Sequence, residues 1–221
     1  YYANISLIDE GIGKILAALE AHGTLENTLI IFTSDHGDAL GDHGLPFKGY
    51  FYESMAHVPM IVRGPHAPDG QRRATAGGRC ASVVSGLDVV ATFFDVCGVQ
   101  APKTVQGKSL TPLLEDPMAS THDVVFCEIT GRVMVTDGQW KYCHYVTGEA
   151  ELYDLTVEAP QMEVENLAGR PEVAQVESRL RARLLEHWLQ NQHTQQMATS
   201  VPQHPFRVAL EKAYKQERGQ A

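Results

Sequence analysis

The chain has 221 residues, enough for one core of ordinary size or one core with a small satellite. Hydrophobic residues make up 43% and charged ones 20%, with 19 Gly and 11 Pro. That composition excludes a disordered, collagen-like or low-complexity chain. No apolar run reaches the ~18 residues of a membrane-spanning helix, so no membrane partner is expected. Acidic residues outnumber basic ones 27 to 18, a net charge of −9, which argues against nucleic acid as a partner.

The first segment predicts a helix: Ile5, Ile8, Ile12, Ile15, Leu16 and Leu19 recur at three and four residues, and Gly23 follows as a stop. Leu29-Ile30-Ile31-Phe32-Thr33 is short, apolar and rich in β-formers, and suits a strand covered on both faces, as in a parallel sheet. A long polar loop runs from Ser34 to Glu53, with four Gly, three Asp and two His. Val58 to Arg63 reads as a second strand, Ala67 to Gly78 as a surface loop, and Leu87 to Val96 as a second helix, with Ser85 near its start and Gly98 after its end. From about residue 110 the texture changes. Val124–Glu128, Arg132–Thr136 and Trp140–Tyr145 look like short strands, and Asp137-Gly138 marks a hairpin between two of them. A third helix starts at Pro171, with Val173, Val176, Leu180, Leu184, Trp188 and Leu189 as its apolar stripe. The tail from Gln192 is polar and of mixed charge, and reads either as an oligomerisation arm, for a homo-oligomer, or as a disordered end. The expected division is an α/β part over 1–109, a small antiparallel sheet plus helix over 110–192, and a tail over 193–221. Cys80, Cys97, Cys127 and Cys143 show no CxxC pair or regular spacing, and are expected to be buried free thiols rather than disulfides or a zinc site. The chain opens Tyr1-Tyr2-Ala3, without Met or a signal sequence, and reads as a piece of something longer.

The stretch from Thr33 to Gly44 carries the chemistry. It lies just past the carboxyl end of a predicted strand, where ligands bind in open α/β sheets. Asp35 offers a hard oxygen and His36 a borderline nitrogen, and Gly37 permits the turn that would let both reach one metal ion. The spacing fits a metal pair and a plain Asx turn equally well. Asp38, Asp42 and His43 fit loop structuring better than ligation. Lys48, beside Gly49, is either a solvated lysine or a compact charge able to neutralise an oxyanion. His57 fits a structural role.

Ser34-Asp35-His36-Gly37, Leu40-Gly41-Asp42-His43-Gly44, Lys48-Gly49, Tyr52-Glu53 and Val58-Pro59, in that order, resemble the sulfatase family of the alkaline phosphatase superfamily. Tyr2-Ala3, Asp9 and Gly13-Lys14-Ile15-Leu16 resemble the helix before its metal strand, and Leu87 to Thr92 the helix after it. Glu151-Leu152-Tyr153-Asp154-Leu155 and Glu165-Asn166-Leu167-Ala168 resemble its C-terminal signature. The Asp-His pair resembles the branch holding choline sulfatases, iduronate-2-sulfatase and phosphonate monoester hydrolases. The resemblance covers roughly residues 1 to 190. It implies part of an alkaline-phosphatase-like three-layer sandwich followed by a small antiparallel α+β subdomain. It further implies metal-dependent hydrolysis of a small-molecule or sugar sulfate ester, with Asp35 and His36 as metal ligands and Lys48 as the residue contacting the sulfate and its bridging oxygen. Ca²⁺ is the metal implied first; the imidazole makes Mn²⁺ a competitor.

Family members use a formylglycine nucleophile made in a Cys/Ser-x-Pro-x-Arg motif, and this chain holds none. Cys80-Ala81-Ser82-Val83-Val84 lacks the Pro and Arg, and Ser200-Val201-Pro202-Gln203-His204 ends in His. The N-terminal Asp pair of the family is absent too. The chain therefore reads as the C-terminal part of such a hydrolase, with formylglycine and the remaining metal ligands expected upstream, and this part alone inactive. The alternatives are a phosphodiester or phosphonate monoester hydrolase on the same fold, and a non-catalytic binding module. The compartment, cytoplasmic or periplasmic, is left open.

Overall fold

A computed structural model describes residues 1–66, 77–158 and 162–199. The predicted surface loop at 67–78 and the tail beyond 199 lie largely outside them. Helix α1 spans Tyr2–Ala21, where the periodicity places it, and Gly23 follows at φ 68°. Its apolar stripe, however, is not a core stripe here. No residue of α1 is buried: Ile5, Ile8 and Ile15 are about half exposed or more, while Ile12, Leu16 and Leu19 are partly covered near the turn at Leu25–Asn27.

Strand β1 (Ile30–Thr33) pairs with β2 (Met60–Arg63), Ile30 opposite Arg63 and Thr33 opposite Met60. The short helix α2 (Glu53–Ala56) lies between them in the chain. The pair is antiparallel, which corrects the expectation of a parallel arrangement. One of its faces is uncovered: Phe32 and Ile61, opposite each other, are exposed, while the other strand residues are partly buried. A continuous apolar run states that both faces seek cover, but not which way the neighbouring strand runs. Arg63 ties the end of β2 to the turn after α1, donating to the Leu25 carbonyl at 2.6 Å and pairing with Glu26 at 2.9 Å.

Helix α3 covers Leu87–Val96, as its pattern predicts. Its start is a reciprocal cap: the Leu87 N–H donates to Ser85 Oγ, and the Ser85 N–H donates to the Asp88 carboxylate. Asp88 is fully buried, and it also accepts from the Lys108 N–H (2.8 Å) and pairs with His122 (3.0 Å). The short helix α4 (Thr111–Glu115) follows.

The second half is a four-stranded antiparallel meander in the order β3 (Val125–Ile129), β4 (Arg132–Thr136), β5 (Trp140–Tyr145) and β6 (Ala150–Asp154). The Asp137-Gly138 turn joins β4 to β5, with Asp137 Oδ1 accepting the N–H groups of Gln139 and Trp140. The strand reading of the sequence stops at Tyr145; β6 is added by the structure. Its free edge is shielded by Asn166, whose side chain accepts from the Leu152 N–H and donates to the Ala150 carbonyl. After a single 3-10 turn at Pro171–Val173, helix α5 runs over Ala174–Thr199, past the Gln192 where the tail was expected to start.

The period-2 alternation of the strands gives the meander two working faces. On one, Val124, Val135, Tyr142 and Leu152 pack with Leu180 of α5. Trp188 and Leu189, the last members of the predicted stripe, are exposed. On the other, Met134 and Cys143 pack with Phe51, flanked by Ala56, Cys127 and Tyr145. That second face therefore sits under the polar loop from Ser34 to Glu53. The four cysteines are free, but Cys143 alone among them is buried and Cys80 and Cys97 are exposed, which corrects the expectation of four buried thiols.

Candidate functional site

The loop leaves β1 at its carboxyl end, and Asp35 and His36 follow within two residues. Gly37 is what lets it fold back. Its N–H donates to the Met55 carbonyl at 2.8 Å, and a Cβ there would stand 2.0 Å from the Ser54 carbonyl oxygen. The loop backbone thus lies directly on α2, a contact closed to every side chain.

His36 Nδ1 stands 2.7 Å from the Gly37 carbonyl. A carbonyl only accepts, so Nδ1 carries the proton and Nε2 keeps a lone pair. Asp35 Oδ2 lies 3.3 Å from that Nε2, and Lys48 Nζ lies 2.5 Å from it. The His36 backbone N–H, at 2.9 Å from Oδ1, holds the Asp35 carboxyl below its usual range, with the His36 ring and Lys48 adding to the effect. The three residues singled out from the sequence therefore meet at one exposed spot. Two lone-pair donors converge, and an ammonium occupies the position a cation would favour.

As a metal site this is incomplete within the chain. Among the described residues no three His, Cys, Asp or Glu gather where one ion could hold them. The donors present nevertheless suit a divalent cation: an ionised hard oxygen, and an imidazole whose free nitrogen is fixed by a carbonyl bond on the other one. His43 instead stacks on Tyr52, with ring centroids 3.7 Å apart. Asp38 Oδ1 and Ser54 Oγ are buried without a hydrogen-bond partner among the described residues. A cavity of about 680 Å³ beside β2 and a groove of about 730 Å³ between the meander and α5 both lie away from Asp35, His36 and Lys48.

The sequence reading missed the polar cluster beneath the loop. Lys141 of β5 is buried, and its three protons go to the Phe51 carbonyl (2.7 Å), Glu53 Oε1 (2.5 Å) and Glu163 Oε1 (2.8 Å). Glu163 Oε2 accepts the Glu53 N–H at 2.6 Å, and Glu163 holds a φ of 59°, uncommon for a residue with a side chain. Glu53 Oε2 pairs with His57 at 2.7 Å, although the His57 side chain is largely exposed. Burial alone would raise the Glu53 carboxyl, but His57 and Lys141 together pull it down to about 2. The hydrogen bond to Glu53 raises His57 in turn. One signal was available: Lys141 shares its strand face with Cys143 and Tyr145, so alternation already places it inward. Nothing in the sequence singles out Glu163.

A model of the sulfatase family matches residues 1–99. A choline-sulfatase of Rhizobium meliloti is 35% identical over 179 residues, 77% of this chain and 33% of its own length. Arylsulfatase K of Xenopus laevis is 33% identical over 201 residues, 82% of this chain and 36% of its own. The chain thus spans about a third of the length of the curated relatives it matches. Among solved structures, one determined with its substrate D-glucosamine-2-N,6-O-disulfate superposes with a TM-score of 0.75 at 31% identity, over 87% of this chain and 40% of that one. The phosphonate monoester hydrolase of Agrobacterium radiobacter does so with a TM-score of 0.71 at 29% identity, over 86% and 40%. With an α/β fold shared with these proteins, residues 1–99 of the chain form a domain of the sulfatase family, within the alkaline phosphatase superfamily.

Proposed function

We propose that this chain supplies the metal-side loop and the leaving-group lysine of a hydrolase acting on sulfate esters of small molecules or sugars. The observation that carries this reading is the convergence of Asp35 Oδ2, His36 Nε2 and Lys48 Nζ at the end of β1. Asp35 and His36 would hold a divalent cation, Ca²⁺ or Mn²⁺, which when bound polarises the sulfate oxygens. The Gly37 carbonyl keeps the His36 proton on Nδ1, so that Nε2 is available as a ligand. Lys48 places a fixed positive charge beside the bridging oxygen, where negative charge grows as the ester bond breaks. A charge met more strongly in the transition state than in the ground state accelerates that step. The nucleophile, a formylglycine on this reading, is assigned outside these 221 residues.

A second reading, hydrolysis of phosphonate or phosphate esters, is favoured by the structural likeness to phosphonate monoester hydrolases. The test is a parallel assay of the full-length protein on aryl sulfate, aryl phosphonate and phosphodiester, with bound metal measured by elemental analysis. Fastest turnover of the sulfate, with a divalent ion bound, is the expected result. Fastest turnover of the phosphonate or the diester replaces the first reading with the second. Failure on all three esters by metal-loaded protein leaves a binding module.

A further inference from the structure

We propose that Arg132 is a positioning residue for Lys48: from β4 it holds the carbonyl of Gly49, the residue after Lys48, and so keeps the ammonium on the His36 side of the loop, facing the leaving-group oxygen. The inference deepens the ester-hydrolase reading and rests on the role that reading gives Lys48.

The residues from Pro46 to Gly49 are all exposed, so burial does not hold them. A lysine side chain is flexible along its four-carbon stem, and on an untethered turn its ammonium would sample a wide volume. Gly49 takes a φ of 114°, a conformation that residues with side chains rarely adopt, immediately after Lys48. Arg132 Nη1 donates to the carbonyl of that same Gly49. The Arg132 guanidinium also lies over the Tyr50 ring, 4.4 Å from its centroid, and 5.9 Å from the ring of Tyr145, its cross-strand neighbour. One planar fork thus grips the turn twice, by a carbonyl and by a ring, which an ammonium cannot reproduce. From the adjacent strand and the same face, Lys141 takes the Phe51 carbonyl. The carbonyls of the residues on either side of Tyr50 are therefore both held by cations of the antiparallel sheet.

Two features separate this contact from ordinary packing. Among the described residues Arg132 has no carboxylate partner, so removing its charge strands no buried anion. Its hydrogen bond goes to the exposed turn that bears Lys48, not to the core under the meander. The antiparallel half of the chain then acts on the chemistry through two links, Arg132 to the Gly49 carbonyl and Gly49 to its chain neighbour Lys48.

The experiment compares Arg132→Gln, Arg132→Lys, Lys48→Ala and the double variant Lys48→Ala/Arg132→Gln in the full-length protein. The substrates are aryl esters with leaving groups of graded acidity, sulfates or whichever ester class the enzyme hydrolyses. A misplaced Lys48 matters most when the leaving group is poor. Arg132→Gln is expected to lower kcat about tenfold for phenyl esters and about twofold for nitrophenyl esters, with KM, bound metal and Tm unchanged. Arg132→Lys is expected to show the same selectivity at smaller size, and it serves if the Gln variant does not fold. In the Lys48→Ala background, Arg132→Gln is expected to add nothing. Equal losses for every leaving group, or additive losses in the double variant, overturn the proposal. If Lys48→Ala itself shows no dependence on the leaving group, the role of Lys48 fails and this inference with it. If Lys48→Ala shows that dependence and Arg132→Gln does not, this inference alone fails.

Discussion

Replacing Lys141 by Met tests how the antiparallel sheet is joined to the loop above it. The side chain stays unbranched, loses its charge and is one atom shorter. In the native cluster Lys141 is 1% exposed, with Glu163 3% and Glu53 24% exposed at their side chains. The Glu53 carboxyl, ordinarily near 4.5, is held at about 2. At about 1.4 kcal/mol per pH unit this gap is worth about 3 kcal/mol, shared between Lys141 and His57. Breaking a buried ion pair by removing one partner costs about 3–5 kcal/mol, because the remaining charge is stranded. Lys141→Met is therefore expected to destabilise by about 3 kcal/mol at neutral pH, read from the shift in urea midpoint. The pH dependence has a definite sign. A depressed carboxyl stabilises the fold fully above its ordinary value near 4.5, and that contribution is lost as pH falls toward about 2. In the variant, Glu53 lacks the ammonium and takes up its proton at higher pH than in the native protein. The stability gap between native and variant must then narrow as the pH drops to about 4. Adding Glu163→Gln to the variant should recover part of the loss at neutral pH. A gap below about 1 kcal/mol, or one that does not change with pH, would refute the reasoning.

Lys48→Ala should lower kcat by about 100-fold or more while metal affinity stays within a few-fold, since the ammonium meets charge that forms during bond breaking. Steady-state kinetics beside calorimetric metal titration checks this, and an unchanged kcat ends the assigned role. Gly37→Ala must displace the Ser54 carbonyl, 2.0 Å from the new methyl group, and is expected to cost about 3 kcal/mol or more; a native-like Tm would contradict the close approach. Leu180→Ala empties a fully buried position between α5 and the meander, and is expected to cost about 3–4 kcal/mol in urea unfolding. A loss below about 1 kcal/mol would show that α5 does not pack there.

The elements with a clean period were legible without coordinates. Leu87–Val96 is helical over the span that its apolar spacing and flanking Ser85 and Gly98 define. The β4 and β5 strands and the turn between them follow from alternation around Asp137-Gly138. Asp35, His36 and Lys48 were legible as candidates because their residue types and order match a known pattern, and they are the residues that meet. The failures have physical causes as well. The run Leu29–Thr33 shows that a strand forms, but its hydrogen bonds are symmetric in sequence terms, so the antiparallel pairing with β2 could not be read. The stripe of α1 predicts a buried face, but among the described residues Ile12, Leu16 and Leu19 are only partly covered and Ile5, Ile8 and Ile15 are exposed. Strand β6 is a short, mixed run, Ala150–Asp154, whose place depends on the Asn166 side chain closing its edge.

By itself the sequence determined the local structure of its clearly periodic segments, and it offered Asp35, His36 and Lys48 as candidates by residue type and order. Local structure depends on interactions a few residues apart, where spacing is geometry. The tertiary structure alone decided what lies against that loop. Lys141 sits 90 residues from the Phe51 carbonyl it holds, and Arg132 sits 83 residues from that of Gly49. A buried ammonium or a guanidinium fork acquires its meaning from the acceptors that surround it, and those are brought together by packing the meander beneath the loop, which no local pattern encodes.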